Sequence, residues 1–250
     1  MANIIGMGSL YLDGCPAEIG SKYNPGQAIS IGETAQGKEI HWVVVNDMLI
    51  ADRCILTEVS WDDLDAQSLV FGKGVSIGGF SFTARLLQVG TKEDAPNEWD
   101  SALDTVGEDN SLWHWEDMFF WGQEAATGTA SSRALRGCSS ARYWGNAAAS
   151  SYSIVGFRPA LVPLASDTLW PSSKAMWWLS EKVMWDDAHL DEKLMLWGGQ
   201  NIIFGRLEEL TDYEVILSDR GGAMSNDFGS RLGNGRIVID RAAISGIQRI

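Results

Sequence analysis

Apolar positions in this chain alternate with small or polar ones over short spans, and turn residues interrupt them often. "KEIHWVVVNDMLIADRCIL" carries an apolar run from Ile40 to Val45, which predicts a buried strand. Asn46-Asp47 predicts a turn, and a second run follows from Met48 to Leu56. "FGKGVSIGGFSFTARLLQVG" (71–90) alternates as a strand does, with Gly78-Gly79 as a bend. Two stretches carry helix-start signals instead. Ser60 precedes Trp61-Asp62-Asp63-Leu64, and Asn97 precedes Glu98-Trp99-Asp100. Both are side chains that cap a first turn, with acids where the helix dipole favours them. Trp99, Leu103 and Val106 then share one helical face. "LWHWEDMFFWGQE" (112–124) is dense in aromatics and predicts core, His114 included, and His41 beside Trp42 reads the same way.

Three regions differ in texture. Residues 1–37 are rich in glycine and read as an extended arm with short strands, suited to oligomerisation. Residues 38–164 hold the patterned elements above. Residues 165–250 carry five tryptophans between Trp170 and Trp197. Short alternating runs follow ("NIIFGRL", "YEVILSD", "GRIVID", "AAISGIQRI"), separated by turn signals at Gly198-Gly199, Gly221-Gly222 and Gly233-Asn234-Gly235. That spacing predicts a small β-rich module. The acids of "WDDAHLDEK" lack EF-hand spacing and read as a solvated turn.

Composition narrows the function classes. There are 33 acidic side chains against 19 basic ones, a formal net charge of −14, which disfavours nucleic acid and anionic membrane as partners. No apolar run approaches the roughly 20 residues of a membrane-spanning helix, and the N-terminus lacks the basic region of a signal peptide. Cys15, Cys54 and Cys138 are odd in number and widely spaced, which fits neither a disulfide framework nor a metal site. Synthesis in a reducing cytoplasm is the simplest expectation. No P-loop and no HExxH is present.

Charge is unevenly placed. Residues 91–124 hold ten acids and one lysine, whereas 125–164 hold no acid and four arginines: Arg133, Arg136, Arg142 and Arg158. A buried arginine needs a partner, so some of these should pin the two halves together. The rest of the acid-free stretch is Ser, Ala, Gly, Asn, Tyr and Trp, a palette suited to recognition loops.

The ordered set Trp42, "LIADR" (49–53), "SWDDL" (60–64), "ARLL" (84–87), "NEWD" (97–100), "LWHW" (112–115), "WGQE" (121–124), "RALRG" (133–137) and "GFRPAL" (156–161) resembles a known family. It is similar to the C-type-lectin-like domains of bacteriophage and prophage proteins, relatives of the formylglycine-generating-enzyme superfamily and of retroelement-diversified variable proteins. The likeness covers roughly 38–164. It implies an α+β fold, a C-type-lectin-like display domain, and says nothing of 1–37 or 165–250, which the sequence texture reads as an N-terminal extended arm and a β-rich C-terminal module. It also implies that Arg136, Gly137, Gly156, Phe157 and Arg158 form a structural frame. Side chains between them would then be displayed to a ligand: Ser139, Ser140, Arg142, Tyr143, Trp144, Asn146, Ser151 and Tyr152. Trp144 fits either core or binding face.

Copper-dependent oxidases of this superfamily use a cysteine pair in this region, where the present chain has only Cys138. One thiolate cannot supply the two-sulfur site Cu(I) favours, so no cofactor or metal is expected. The resulting expectation is a non-enzymatic virion structural protein, a decoration, fibre or tail-tip component assembled in the host cytoplasm. Its partners would be a host cell-surface protein or glycan, or neighbouring virion proteins, and it would form a homo-oligomer such as a trimer. The alternatives are a purely architectural virion subunit and an oxidase of the formylglycine-generating kind.

Overall fold

The computed structural model describes residues 2–164, 177–178, 190–218 and 228–249. The chain opens with β1 (Asn3–Leu12), β2 (Cys15–Pro16), β3 (Ser21–Lys22) and β4 (Ile29–Gly32). The hairpin β5 (Glu39–Val45) and β6 (Met48–Ala51) follows, then β7 (Leu56–Thr57). Helix α1 (Trp61–Ala66) precedes a second hairpin, β8 (Lys73–Ile77) and β9 (Phe80–Leu86). After α2 (Glu98–Val106) and α3 (Asn110–Trp113) come β10 (Phe119–Ala126), β11 (Thr129–Gly137), β12 (Trp144–Ala148), β13 (Val155–Phe157) and β14 (Pro159–Pro163). The last strands are β15 (Trp177–Trp178), β16 (Lys193–Gly198), β17 (Asn201–Leu210), β18 (Glu214–Ser218), β19 (Ser230–Arg231), β20 (Arg236–Asp240) and β21 (Gly246–Arg249).

Three curled sheets result. The first runs β2-β1-β5-β6-β14-β9-β8 with β4 on β1, the second β12-β11-β10-β13-β7-β3, and the third β15-β21-β16-β17-β18-β20-β19. The α+β expectation is therefore corrected to a β-rich fold, with 50% strand, 10% helix and three short helices among the described residues. The physical reason lies in the helix signals. They are real but local: Ser60 caps α1 by accepting from the Asp63 amide, and Asn97 caps α2 by accepting from the Asp100 amide. Each helix then ends within nine residues, α2 at Gly107, whose φ of 91° breaks the helix while its N–H donates to the Leu103 carbonyl.

Residues 1–37 do not stand apart as an arm. β1 pairs along β5, from Asn3↔Val44 to Ser9↔Glu39, and Ile5, Met7 and Leu10 are buried in the main core. Their alternation with glycine and polar residues hid an inner strand.

β5 and β6 are buried on both faces. Trp42, Val44, Leu49 and Ala51 enter the main core, whereas Val43, Val45 and Ile50 enter a second one with Trp99, Leu103, Trp113 and Phe120. The turn between them uses Asn46 and Asp47 in the left-handed region (φ 49° and 59°), which fits a two-residue hairpin. His41 is exposed and His114 only half-buried, against the expected core placement; strand alternation sends His41 away from Trp42.

The third sheet packs on the first. Met195, Trp197, Ile202 and Phe204 join the main core, and the intervening Leu194, Leu196 and Ile203 form a core within the third sheet. Phe204 meets Phe80 with ring centroids 5.2 Å apart. The buried Gln248 amide accepts from the Ser81 amide (2.9 Å) and donates to the Ser81 carbonyl (3.0 Å), as a neighbouring strand would. The Gly221-Gly222 turn and most of "WDDAHLDEK" lie outside the described residues.

Phe204 is the aromatic anchor of this junction. Phe204→Ala should lower unfolding stability by about 3 kcal/mol through the lost apolar burial and the cavity left behind. Chemical denaturation of the two proteins side by side measures it.

Candidate functional site

The chain passes from the second sheet to the first at Arg158, between β13 and β14. Beside it, the antiparallel segment from β6 to β7 makes the same passage. Between the pairs Ala160↔Ile50 and Phe157↔Leu56 that segment carries three more residues, so Asp52, Arg53 and Cys54 bulge beside Arg158. Arg158 is fully buried. Its Nη2 donates to the carbonyls of Trp113 (2.6 Å) and His114 (3.3 Å), and its guanidinium lies over the rings of Phe120 (4.7 Å) and Trp99 (5.0 Å). Burial draws its pKa down, opposed by the neighbouring Cys54 and Asp52. Burial also pushes the Cys54 thiol up to about 11, with Arg158 opposing.

The other frame residues are equally enclosed. Arg136 donates to Asp100 (2.8 Å) and to the carbonyls of Val89 (3.1 Å) and Arg142 (2.7 Å). Burial lowers its pKa, and Asp100 opposes the shift. Gly137 has φ 99°, and a Cβ there would stand 2.7 Å from the Met118 carbonyl. At Gly156 a Cβ would meet the Leu56 carbonyl at 2.6 Å, so only glycine lets β13 approach β7.

The eight expected display residues separate. Ser139 and Ser140 are exposed at the tip between β11 and β12. Arg142 turns away to α2 and the turn after it, where it binds Asp104 (2.7 Å) and Glu108 (2.5 Å). These acids raise its pKa, Glu108 most. With Arg136, Asp100, Glu93 and Asp94 it lines an acidic-basic cavity of about 530 Å³. Among the described residues no cluster of three or more His, Cys, Asp or Glu could hold a metal.

Strand alternation divides the rest. Gly137 pairs opposite Tyr143 by donating to its carbonyl, so 135↔145 and 133↔147 are the hydrogen-bonded pairs of this hairpin. Tyr143, Gly145 and Ala147 fall on one face, Trp144, Asn146 and Ala148 on the other, so Asn146 borders the groove through the strand edge. Trp144 packs toward the second core, with its ring N–H on the Gly90 carbonyl (3.0 Å). Its place is structural.

On the first face lies a groove of about 410 Å³. Phe119, Leu135, Gly145 and Val155 line its base, with Tyr143, Tyr152 and Ile154 at its rim. The rim side chains are 46%, 37% and 47% exposed, far more than large apolar groups usually are when they cluster. Tyr143 leans on Phe119 (centroids 5.8 Å) and Tyr152 on Trp121 (6.3 Å). Asn146 lines the groove at its edge, and Ser151 is exposed beside Tyr152. No charged side chain lines it. Phe119, Leu135, Gly145 and Ile154 were missed in the sequence; the spacing of β10 and β11 could have placed the first two opposite Tyr143.

Gly74-Val75-Ser76-Ile77-Gly78 has the spacing of a hydrolase nucleophile elbow. It lies in β8 of an antiparallel hairpin, where Ser76 pairs Ser81, not at a strand-to-helix turn. Comparison with protein-family models, curated proteins and solved structures finds no match.

Two outcomes follow from this geometry. Arg136→Ala leaves Asp100 without its buried partner and should cost about 3 kcal/mol, whereas Arg142→Ala, at a solvated cluster, should cost under about 1 kcal/mol in denaturant melts. The Cys54 thiol stays protonated in the folded state, so a disulfide reagent at pH 8 should modify exposed Cys15 quickly and Cys54 only on unfolding. Because the folded pKa is the raised one, the stability held by this neutral thiol is complete below about pH 9 and is lost as pH rises toward 11.

Proposed function

We propose that this chain is a non-enzymatic structural protein of a bacteriophage virion, which presents the Tyr143–Tyr152 groove to a ligand on the host surface. The observation that carries the reading is the exposed, uncharged aromatic groove, set on a sheet whose frame residues are fully buried. Rigid aromatics supply contact area at small entropic cost, and neighbouring Ser and Asn supply adaptable hydrogen bonds. Such patches on a protein surface mark binding sites more often than chance apolar exposure does. The resemblance of 38–164 to phage C-type-lectin-like domains supports the same assignment, since it implies display from the segment between Arg136 and Arg158. The chain would work as a homo-oligomer in the virion, with the ligand a protein or glycan of the host cell surface.

The test is the double variant Tyr143→Ala/Tyr152→Ala beside the parent protein. Both rings are half-exposed, so the fold and the native mass should be unchanged while binding to host cells falls by about tenfold or more. A variant that no longer assembles would make this face a seam between subunits. The architectural reading would then replace recognition.

A further inference from the structure

We infer that the groove takes an extended, uncharged peptide segment of a partner protein, which adds as a further strand to β12. The inference rests on the recognition reading above and names its ligand class. β12 is the terminal strand of the second sheet. Gly145 and Ala147 direct their backbone groups to β11, so the N–H and C=O groups of Asn146 and Ala148 point away from the sheet. Neither residue makes a backbone hydrogen bond to another segment among the described residues. Two successive outward donors and acceptors are therefore available at the spacing an added strand needs.

Natural sheets shield such edges with charge, proline or bulges. Most other edges here follow that rule: β2 carries Pro16, β3 Lys22, β8 Lys73 and β19 Arg231, whereas β4 carries none but has its Ile29 N–H and C=O taken by the side chains of Gln67 and Lys73. β12 reads Trp-Gly-Asn-Ala-Ala and has none of these devices. Its pairing with β11 runs in one unbroken register from Ser132↔Ala148 to Arg136↔Trp144.

The groove supplies what the edge lacks in specificity. Alternate side chains of an added strand fall on the face of Tyr143, Gly145 and Ala147. There the groove wall is low, because Gly145 has no side chain and Ala147 one carbon. A large apolar side chain of the guest can pass over them toward Leu135 and Phe119, between the rings of Tyr143 and Tyr152. Charge points to a neutral guest. In a protein of net charge −14 the groove has no ionic side chain, and the two nearest arginines on its chain segment are engaged elsewhere: Arg142 with acids and Arg133 over the Trp61 ring (4.1 Å).

The experiment uses the full chain and a displayed library of uncharged ten-residue peptides, read against two variants. Asn146→Pro removes one outward donor and no bond to β11. Gly145→Leu fills the groove; its Cβ would meet only the Tyr143 and Phe119 rings, at 3.4 and 3.7 Å, and far-UV circular dichroism and a denaturant melt check that the fold is kept. Peptides with apolar residues at alternate positions should be enriched, and each variant should bind them about tenfold more weakly. Amide exchange at Asn146 and Ala148 should slow when the peptide binds. Enriched peptides that bind Asn146→Pro as well as the parent would overturn the inference, as would a library with no enrichment. Host-cell binding separates this from the recognition reading. If Gly145→Leu abolishes it and Asn146→Pro does not, the groove recognises its ligand without strand addition, as a glycan would be, and only the inference falls. If neither variant affects it, the recognition reading falls too. A native mass showing self-association that Asn146→Pro abolishes would assign the edge to a second copy and overturn the partner claim.

Discussion

Everything in the first two sheets depends on one buried guanidinium. At Arg158 the chain leaves one sheet and enters the other, and the antiparallel segment through Asp52, Arg53 and Cys54 does the same beside it. Two crossings at one point leave carbonyls and ring faces that no regular ladder satisfies. A planar cation answers both kinds of group. Nη2 takes the last carbonyls of α3, which carry the negative end of its dipole, while the faces of Trp99 and Phe120 take the remaining charge. Lysine would serve this place less well, because its ammonium has no planar face to lay against two rings and fewer donors in a fixed geometry. The crossing thereby fixes α3, the Trp99 face of α2 and the start of β10 relative to one another.

A second arginine sets the charge arrangement. Residues 91–124 are strongly acidic, and left alone they would repel their own sequence neighbours. Arg136, fully buried, meets Asp100, and Arg142 spans Asp104 and Glu108 from the following turn. The basic excess of 125–164 is thus spent on the acidic helix, with Arg158 buried at the crossing and Arg133 laid over Trp61. What is left facing outward between Tyr143 and Val155 is neutral. The groove is uncharged because 143–155 carries no ionic side chain, and the pairing keeps the flanking arginines from facing it.

This explains which parts of the fold could be read in the sequence. The caps at Ser60 and Asn97, the hairpin at Asn46-Asp47 and the strands after Gly199 follow from local chemistry, and each is found near where its signal stands. The predominance of strand was obscured, because the two capped helices drew more weight than their few turns carry. β1 was also hidden: its core positions Ile5, Met7 and Leu10 are separated by glycines, and only pairing with β5 gives them a shared face. For the candidate site, the segment was legible and the face was not. Tyr143 and Tyr152 reach the groove; Trp144 borders it but sends its ring N–H to the Gly90 carbonyl, and Arg142 is turned away by Asp104 and Glu108. Phe119 and Leu135 lie on other strands, so only the pairing of β10, β11 and β12 could name them, not the pattern within the segment.

The small residues of β12 tie these levels together. Gly145 lets the Tyr143 and Phe119 rings close over one another, and Ala147 keeps the wall beside them low. The same smallness leaves the strand without the charge or proline that β2, β3, β8 and β19 carry. An edge that is flat, regular and unshielded is a hazard to a protein that stays alone, because any exposed strand can pair with it. A sequence needing only stability could place a charge at Asn146 or Ala148 without disturbing β11, since both side chains and both outward backbone groups face away from that strand's ladder bonds. Retaining neither charge nor proline there leaves backbone and aromatic groove open along one line, and openness of both together is what recognition by strand addition requires.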